Sequence, residues 1–251
     1  MTRDSVRLDW PERASARLRV ELLRHFRLTC DDLTLGLCHV GERLVAYLAL
    51  QDQIRTRDEI AGTLWPESSQ ARAAANLRQT LAIVRRLAPG LLRCDSRRLS
   101  LADGISVDAR AQYRLIEAIT DGETREVYAD KLRLLRGDLL PDWDEHWLPP
   151  IRAELRQLRL ISLETLAAAH LDQNRPGTAL AVALSVARDE PLRESAHRLV
   201  IQAHLAHGNR AEAARQYRQY RRVLWTELQL NPDAGIQALI GPVLQASGHA
   251  I

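Results

Sequence analysis

Residues 56–101 read TRDEIAGTLWPESSQARAAANLRQTLAIVRRLAPGLLRCDSRRLSL, and the fold is decided here. Thr56 stands three residues before Glu59. That is the spacing of a capping box, in which the hydroxyl accepts from the third helical N–H and the acid reaches back to the cap N–H. A helix is therefore predicted over Arg57–Leu64. It stops at Trp65-Pro66, because proline disfavours helical geometry in the residue before it. Ser68 or Ser69 caps the next helix, which runs to Ala88 and ends at Pro89-Gly90. A hairpin pattern follows: Leu91-Leu92-Arg93-Cys94, the polar turn Asp95-Ser96-Arg97-Arg98, then Leu99-Ser100-Leu101.

Upstream, Gly41 precedes Leu44, Val45, Leu48 and Ala49, which share one face of an earlier helix. Before that, 18–28 and 33–37 read as strands around the turn-forming Thr29-Cys30-Asp31-Asp32. Strands, three helices and a hairpin, in that order, make a winged helix. A junction at 104–108 sets the winged domain at 1–108 and a second domain at 109–251. Downstream of Val107 nearly everything reads helical, interrupted only by the segment from Pro141-Asp142-Trp143 to Pro149-Pro150. Helices are predicted over 151–172, 176–189, 192–207, 210–228 and 234–245. Ala169-His170-Leu171 recurs as Ala203-His204-Leu205, an offset of 34 residues that also sets Asn174 opposite Gly208 and Ala179 opposite Ala213. A helix–turn–helix period of that length is the tetratricopeptide signature. The fold class is mainly α: a winged helix-turn-helix domain followed by an all-α tetratricopeptide-like domain.

Apolar residues make up 46% of the 251-residue chain and charged residues 27%, enough for real cores and unlike a disordered tail. Lys131 is the only lysine, so the positive charge is arginine, which base composition of a genome also explains. Residues 1–108 hold 17 Arg against 14 acids, whereas 109–251 hold 18 Lys+Arg against 18 acids. The excess sits in the winged half, with seven Arg against Glu67 and Asp95 over 66–98, a local basic patch of the kind nucleic acid attracts. Cys30, Cys38 and Cys94 show no CxxC spacing, so neither a zinc site nor a disulfide framework is expected, but buried free thiols in a reducing compartment. The charged first 16 residues lack the apolar core of a signal peptide. No apolar stretch is long enough to span a bilayer. These features predict a cytoplasmic protein without membrane contact.

On a 100°-per-residue wheel, Ala74, Leu77, Leu81, Val84 and Ala88 of the third helix form the core face. Arg72, Ala75, Gln79, Ala82 and Arg86 fall opposite, with Arg78 and Asn76 on the flanks. Small residues let a backbone approach a major groove, amides pair with adenine, and arginine grips guanine or phosphate. A helix docked by its N-terminal half presents Arg72, Asn76 and Gln79 to bases and leaves Arg78, Arg85 and Arg86 nearer the backbone. Arg97 and Arg98 sit at the hairpin turn, where a wing reaches the neighbouring minor groove or its phosphates. Residue by residue, an ordinary solvated face accounts for these side chains nearly as well; the helix and wing together favour DNA.

His146 lies among carboxylates in Asp142-Trp143-Asp144-Glu145-His146-Trp147, yet no HExxH, P-loop, GxSxG or GxGxxG pattern occurs. That segment reads as a tryptophan-rich hinge packing between helices. His170 and His204 read as packing or turn residues. Trp143, Trp147 and Trp225 read as core or groove residues, or as anchors for a partner. No enzyme activity, cofactor or metal is expected.

The segment 26–107 resembles the response-regulator-type winged helix, through Arg57-Asp58-Glu59-Ile60, Leu64-Trp65-Pro66, Asn76-Leu77-Arg78-Gln79 and Val84-Arg85-Arg86-Leu87. The remainder resembles the bacterial transcriptional activator domain, through Asp189-Glu190-Pro191-Leu192-Arg193-Glu194, His207-Gly208-Asn209-Arg210-Ala211-Glu212-Ala213 and Glu227-Leu228-Gln229-Leu230-Asn231-Pro232. Over 17–245 the chain is similar to the Streptomyces antibiotic regulatory protein family. That resemblance implies an activator that binds double-stranded DNA at repeated promoter sites. It also implies recruitment of RNA polymerase, including its sigma factor, and self-association as a homodimer or in tandem on DNA. Gln229 replaces the family's usual glycine, and Gly41-Glu42-Arg43 replaces its Gly-Arg-Lys. Within this length no receiver or nucleotide-binding domain is expected. The competing class is a tetratricopeptide adaptor whose winged domain binds protein.

Overall fold

A computed structural model describes residues 17–51, 54–123 and 129–248. The charged start expected over 1–16 lies outside the described residues. Two compact units form: the described chain up to Ala111 with Asp138–Trp147, and Gln112–Gly137 with Leu148 onward.

In chain order the first unit carries β1 (Leu18–Glu21), β2 (Arg27–Cys30), β3 (Leu33–Thr34), α1 (His39–Ala49), β4 (Arg55–Thr56), α2 (Arg57–Leu64), α3 (Gln70–Leu87), β5 (Leu92–Cys94), β6 (Arg98–Leu101) and β7 (Ser106–Val107). One sheet has the order β3-β2-β1-β7 and the other β4-β6-β5. Leu18 pairs with Cys30 and Val20 with Leu28. These four point into the core, while Arg19 and Arg27 are exposed and Thr29 half-buried, the period of two that a half-buried sheet requires.

Three expectations change here. The run 18–28 is a hairpin: the chain reverses at Leu23-Arg24-His25, with Arg24 in the left-handed region (φ 79°). The expected strand at 33–37 shortens to Leu33–Thr34. The junction at 104–108 contains β7, which pairs in parallel with β1. Asp108 follows it, and its carboxylate accepts from the backbone N–H groups of Leu22 (2.8 Å), Leu23 (3.0 Å) and Ala109 (2.7 Å). Burial pushes this carboxyl above the usual range, although the three donors pull it back.

The capping box at Thr56 and Glu59 is present, and α2 ends at Trp65. Ser69 occupies the cap position of α3 without a side-chain bond. The buried face of α3 is Ala73, Leu77, Thr80, Leu81 and Val84, continued by Ala88. Ala74, assigned to the core by the wheel, is half-buried. The stripe begins one residue earlier, where α2 packs against α3. All three cysteines are free, but only Cys30 is buried; Cys38 is exposed and Cys94 half-buried.

The segment expected as a hinge between helices belongs to the winged unit. Arg24 N–H donates to Asp138 O (2.6 Å), and Leu140 N–H donates to Leu22 O (2.9 Å). Leu139, Leu140 and Trp147 are buried. Trp143 stacks on Phe26 (5.9 Å between centroids) and Trp147 meets Tyr47 edge-on (5.3 Å). The ten-residue strap thus closes over the β1–β2 hairpin and α1. Its apolar residues mattered more than the periodicity that made it look like an interruption.

Helix α4 (Asp108–Thr120) begins in the first unit and continues in the second from Gln112, which also carries α5 (Ala129–Leu134), α6 (Leu148–Asp172), α7 (Pro176–Asp189), α8 (Glu194–Ala206), α9 (Arg210–Leu228) and α10 (Ala234–Gly248). Pro149 and Pro150, read as an interruption, lie in the first turn of α6, where a missing N–H costs nothing. From α6 to α10 each helix packs on the next, which is how a helical repeat buries what one repeat leaves exposed. Asn174 and Gly208, one period apart, are both left-handed (φ 55° and 77°); the repeat is therefore structural, down to its turns. Gln229 also adopts the left-handed cap (φ 57°), its N–H donating to Trp225 O (3.0 Å). The helix ends as a glycine would end it. His197 stacks on the buried Tyr220 (4.1 Å), with Nε2 at Pro191 O (3.0 Å) and Nδ1 at Gln216 Nε2 (2.8 Å).

Candidate nucleic-acid interface

The outward face of α3 follows from the core face. With Leu77, Leu81 and Val84 fixed inward, Arg72, Ala75, Gln79, Ala82 and Arg86 are all exposed, as are Arg78 and Arg85. Asn76 is half-buried at the edge of that face. Its carbonyl accepts from the buried Thr80 hydroxyl (2.9 Å), and neither its side-chain amide nor that of Gln79 is engaged by another described residue. Asn76, Gln79, Thr80 and Ile83 line a hollow of about 280 Å³ with Cys38, Val40 and Trp65. The structure thus brings the two amides together and leaves Arg78 and Arg85 toward the far flank.

None of Arg72, Arg78, Arg85, Arg86, Arg97 and Arg98 forms an ion pair with a described residue. Several arginines elsewhere are paired: Arg27 with Glu21 (3.8 Å), Arg93 with Asp103 (3.0 Å), Arg156 with Glu190 (2.8 Å) and Arg193 with Glu164 (2.7 Å). Exposed guanidinium groups without an ion-paired acid contribute a positive field that a polyanion neutralises.

The wing tip has a fixed shape. The Asp95 carboxylate accepts from the N–H groups of Arg97 (2.7 Å) and Arg98 (2.6 Å), and these bonds hold its pKa below the usual range. Arg57 then ties the tip to α2. Its N–H donates to Arg97 O (2.9 Å), and its guanidinium donates to Asp95 O through Nη2 (3.0 Å) and Nε (3.3 Å). Both exposed wing arginines are therefore held on a pinned turn. Arg43 performs the matching task at the other end of α2, donating through Nη2 to Leu64 O (2.7 Å) and pairing through Nε with Glu145 of the strap (2.8 Å). Glu42, where the family has a base, lies beside His39 (3.4 Å).

Sequence reasoning missed Arg57, Asp95 and Arg43 as positioning residues. Asp95 gave a signal, because aspartate opening a polar turn bonds the backbone two residues on. Arg57 and Arg43 gave none: their partners lie 38 and 21 residues away. Trp225, read as a core, groove or anchor residue, is 51% exposed. Among the described residues no group of three His, Cys, Asp or Glu is placed to hold a metal ion. No helix among them is long and apolar enough to cross a membrane.

Residues 106–244 match the profile of the bacterial transcriptional activator domain. The chain is 30% identical over 247 residues to regulatory protein AfsR of Streptomyces coelicolor, an alignment covering 94% of this chain and 25% of AfsR. It spans about a quarter of that relative's length. Mycobacterium tuberculosis EmbR, solved in complex with a low-affinity phosphopeptide, shares the fold with a TM-score of 0.74 at 20% identity, covering 92% of this chain and 66% of EmbR's. A winged unit followed by a helical array, with the family profile matched over more than half of the chain, leads to one assignment: the chain belongs to the bacterial transcriptional activator domain family.

Proposed function

We propose that the chain binds specific double-stranded DNA through α3 and the β5–β6 wing, and activates transcription by recruiting RNA polymerase with its sigma factor at repeated promoter sites. The observation that carries this reading is the set of six exposed arginines on α3 and the wing turn that form no ion pair with a described residue, beside the unengaged amides of Asn76 and Gln79 on α3. In this reading Arg72, Asn76 and Gln79 meet base edges. Arg78, Arg85 and Arg86 hold the phosphate backbone, and Arg97 and Arg98 reach the adjacent groove. The helical unit supplies contacts to protein: self-association on adjacent sites, and polymerase. No catalytic step or cofactor is assigned to it.

Selection of the full chain against random duplexes tests the DNA reading. A discrete motif is expected, and Asn76→Ala or Gln79→Ala should relax it at one position by about 1–3 kcal/mol of discrimination per lost bidentate pair. No enrichment by the wild type, or an unchanged motif in both variants, would reject the placement of α3. Run-off transcription with purified polymerase tests recruitment, since occupancy without any rise in transcript would reject activation.

A further inference from the structure

Helix α9 carries a face that its own unit leaves uncovered. Its inner side is complete: Ala213, Ala214, Tyr217, Tyr220 and Leu224 are buried, and they join Ile201, Ile236 and Ile240 in one cluster. On the outer side, Arg218, Arg221, Arg222 and Trp225 follow the i, i+3, i+4, i+7 spacing of a single helical stripe. With Asn231 from the next loop they line an open groove of about 490 Å³. Trp225 is 51% exposed, Leu228, one turn on along the same stripe, 50%, and Leu230 55%. Three large apolar side chains within six residues stand in water where the core does not need them.

The charge beside them is just as unattended. None of Arg218, Arg221 and Arg222 forms an ion pair with a described residue, although Arg215 on the same helix pairs with Glu212 (3.1 Å). Glu227 falls on the opposite side of the helix from Trp225. Three like charges within two turns repel one another unless an anion comes between them. Tryptophan and arginine are also the residue types that dominate interface energetics, and the guanidinium fork matches carboxylates bidentately.

We propose that this face docks an acidic protein segment with an apolar anchor: its carboxylates lie across the three arginines and its anchor covers Trp225 and Leu228. A phosphate backbone would satisfy the arginines but has no use for the exposed leucines, which is why a peptide is favoured over nucleic acid. Resting on the function proposed above, the segment belongs to the RNA polymerase holoenzyme.

The test uses the full chain and two variants, Arg218→Glu/Arg221→Glu/Arg222→Glu and Trp225→Ala, whose altered side chains lie outside the core so that wild-type melting is retained. Equilibrium binding to purified host RNA polymerase holoenzyme is measured without DNA, alongside duplex gel shifts and sedimentation velocity. The wild type should bind and the charge-reversed variant should bind about thirtyfold more weakly, with a smaller loss for Trp225→Ala. Duplex affinity and sedimentation should not change. Equal binding by all three proteins would overturn the docking face and leave recruitment standing through another surface. No binding even by the wild type would overturn recruitment itself and this proposal with it. A loss that appears in the gel shifts instead would make the face a DNA contact, and one that appears in sedimentation would make it an interface between copies; either overturns the assigned occupant.

Discussion

A fragment ending at Ala111 keeps every strand of both sheets and every residue of the candidate interface, and it should still fold poorly. What it loses is the strap, in which Leu139, Leu140 and Trp147 are 2%, 0% and 7% exposed. At about 1.5–3 kcal/mol for each fully buried large apolar side chain, the three contribute about 4.5–9 kcal/mol before the entropy of ordering the segment is subtracted. The backbone bonds to Leu22 and Arg24 and the Arg43–Glu145 pair go as well. A whole domain is typically stable by about 5–15 kcal/mol, so the loss rivals the total. Urea unfolding followed by circular dichroism would compare this fragment with one ending at Trp147. The longer fragment should show a cooperative transition and bind duplex; the shorter should show a broad one or none. Introducing Leu139→Asp and Leu140→Asp into the longer fragment should abolish the difference. Identical midpoints for the two fragments would refute the energetic role given to the strap.

Gln229→Gly should stabilise the helical unit by about 1 kcal/mol, because the residue already sits in the left-handed region that penalises a Cβ; a melting temperature unchanged or lowered would count against it. Burial lowers the pKa values of His170, His197 and His204. The unfolded chain therefore takes up protons near the ordinary histidine value of 6.5 while the folded chain resists. Stability should be full above that pH and decline as pH falls through the lower folded values, so melting at pH 5 should precede melting at pH 7.5, and the reverse order would contradict the burial argument. Asp95→Ala should weaken duplex binding several-fold without changing its salt slope, since no cation is removed, whereas Arg98→Ala should lower the slope by about one. Equal slopes for the two variants would mean that Arg98 does not meet a phosphate.

The parts of the fold legible in sequence are those decided by neighbours. The Thr56–Glu59 box, the stop at Trp65-Pro66, and the hairpin around Asp95 each rest on side chains within a few residues of the backbone they fix. The hairpin hidden in 18–28 is different: apolar residues run through Leu22 and Leu23, and Arg24 turns left-handed with no glycine, asparagine or proline to announce it. Ala73 and Ala74 cannot be separated by an ideal wheel, because the packing of α2 sets the phase of α3. The strap is a case of distance, since Leu139 and Leu140 find their partners more than a hundred residues upstream. At the candidate interface the residue types were readable, but which arginines lack a described acid depends on the fold. The tie from Arg57 to the wing likewise exists only once α2 and the hairpin meet.

That tie has a consequence for how the wing would meet a duplex. A free loop gives up about 1–2 kcal/mol of conformational freedom per backbone residue on docking, but residues 95–98 have already given it up on folding, to Asp95 and Arg57. Association should then carry a small unfavourable entropy from this element, and it should not wait for a loop to order. The same rigidity removes the wing's ability to adapt. A pinned tip fits one groove width better than its neighbours, so the wing can discriminate between duplexes by their shape without touching a base edge.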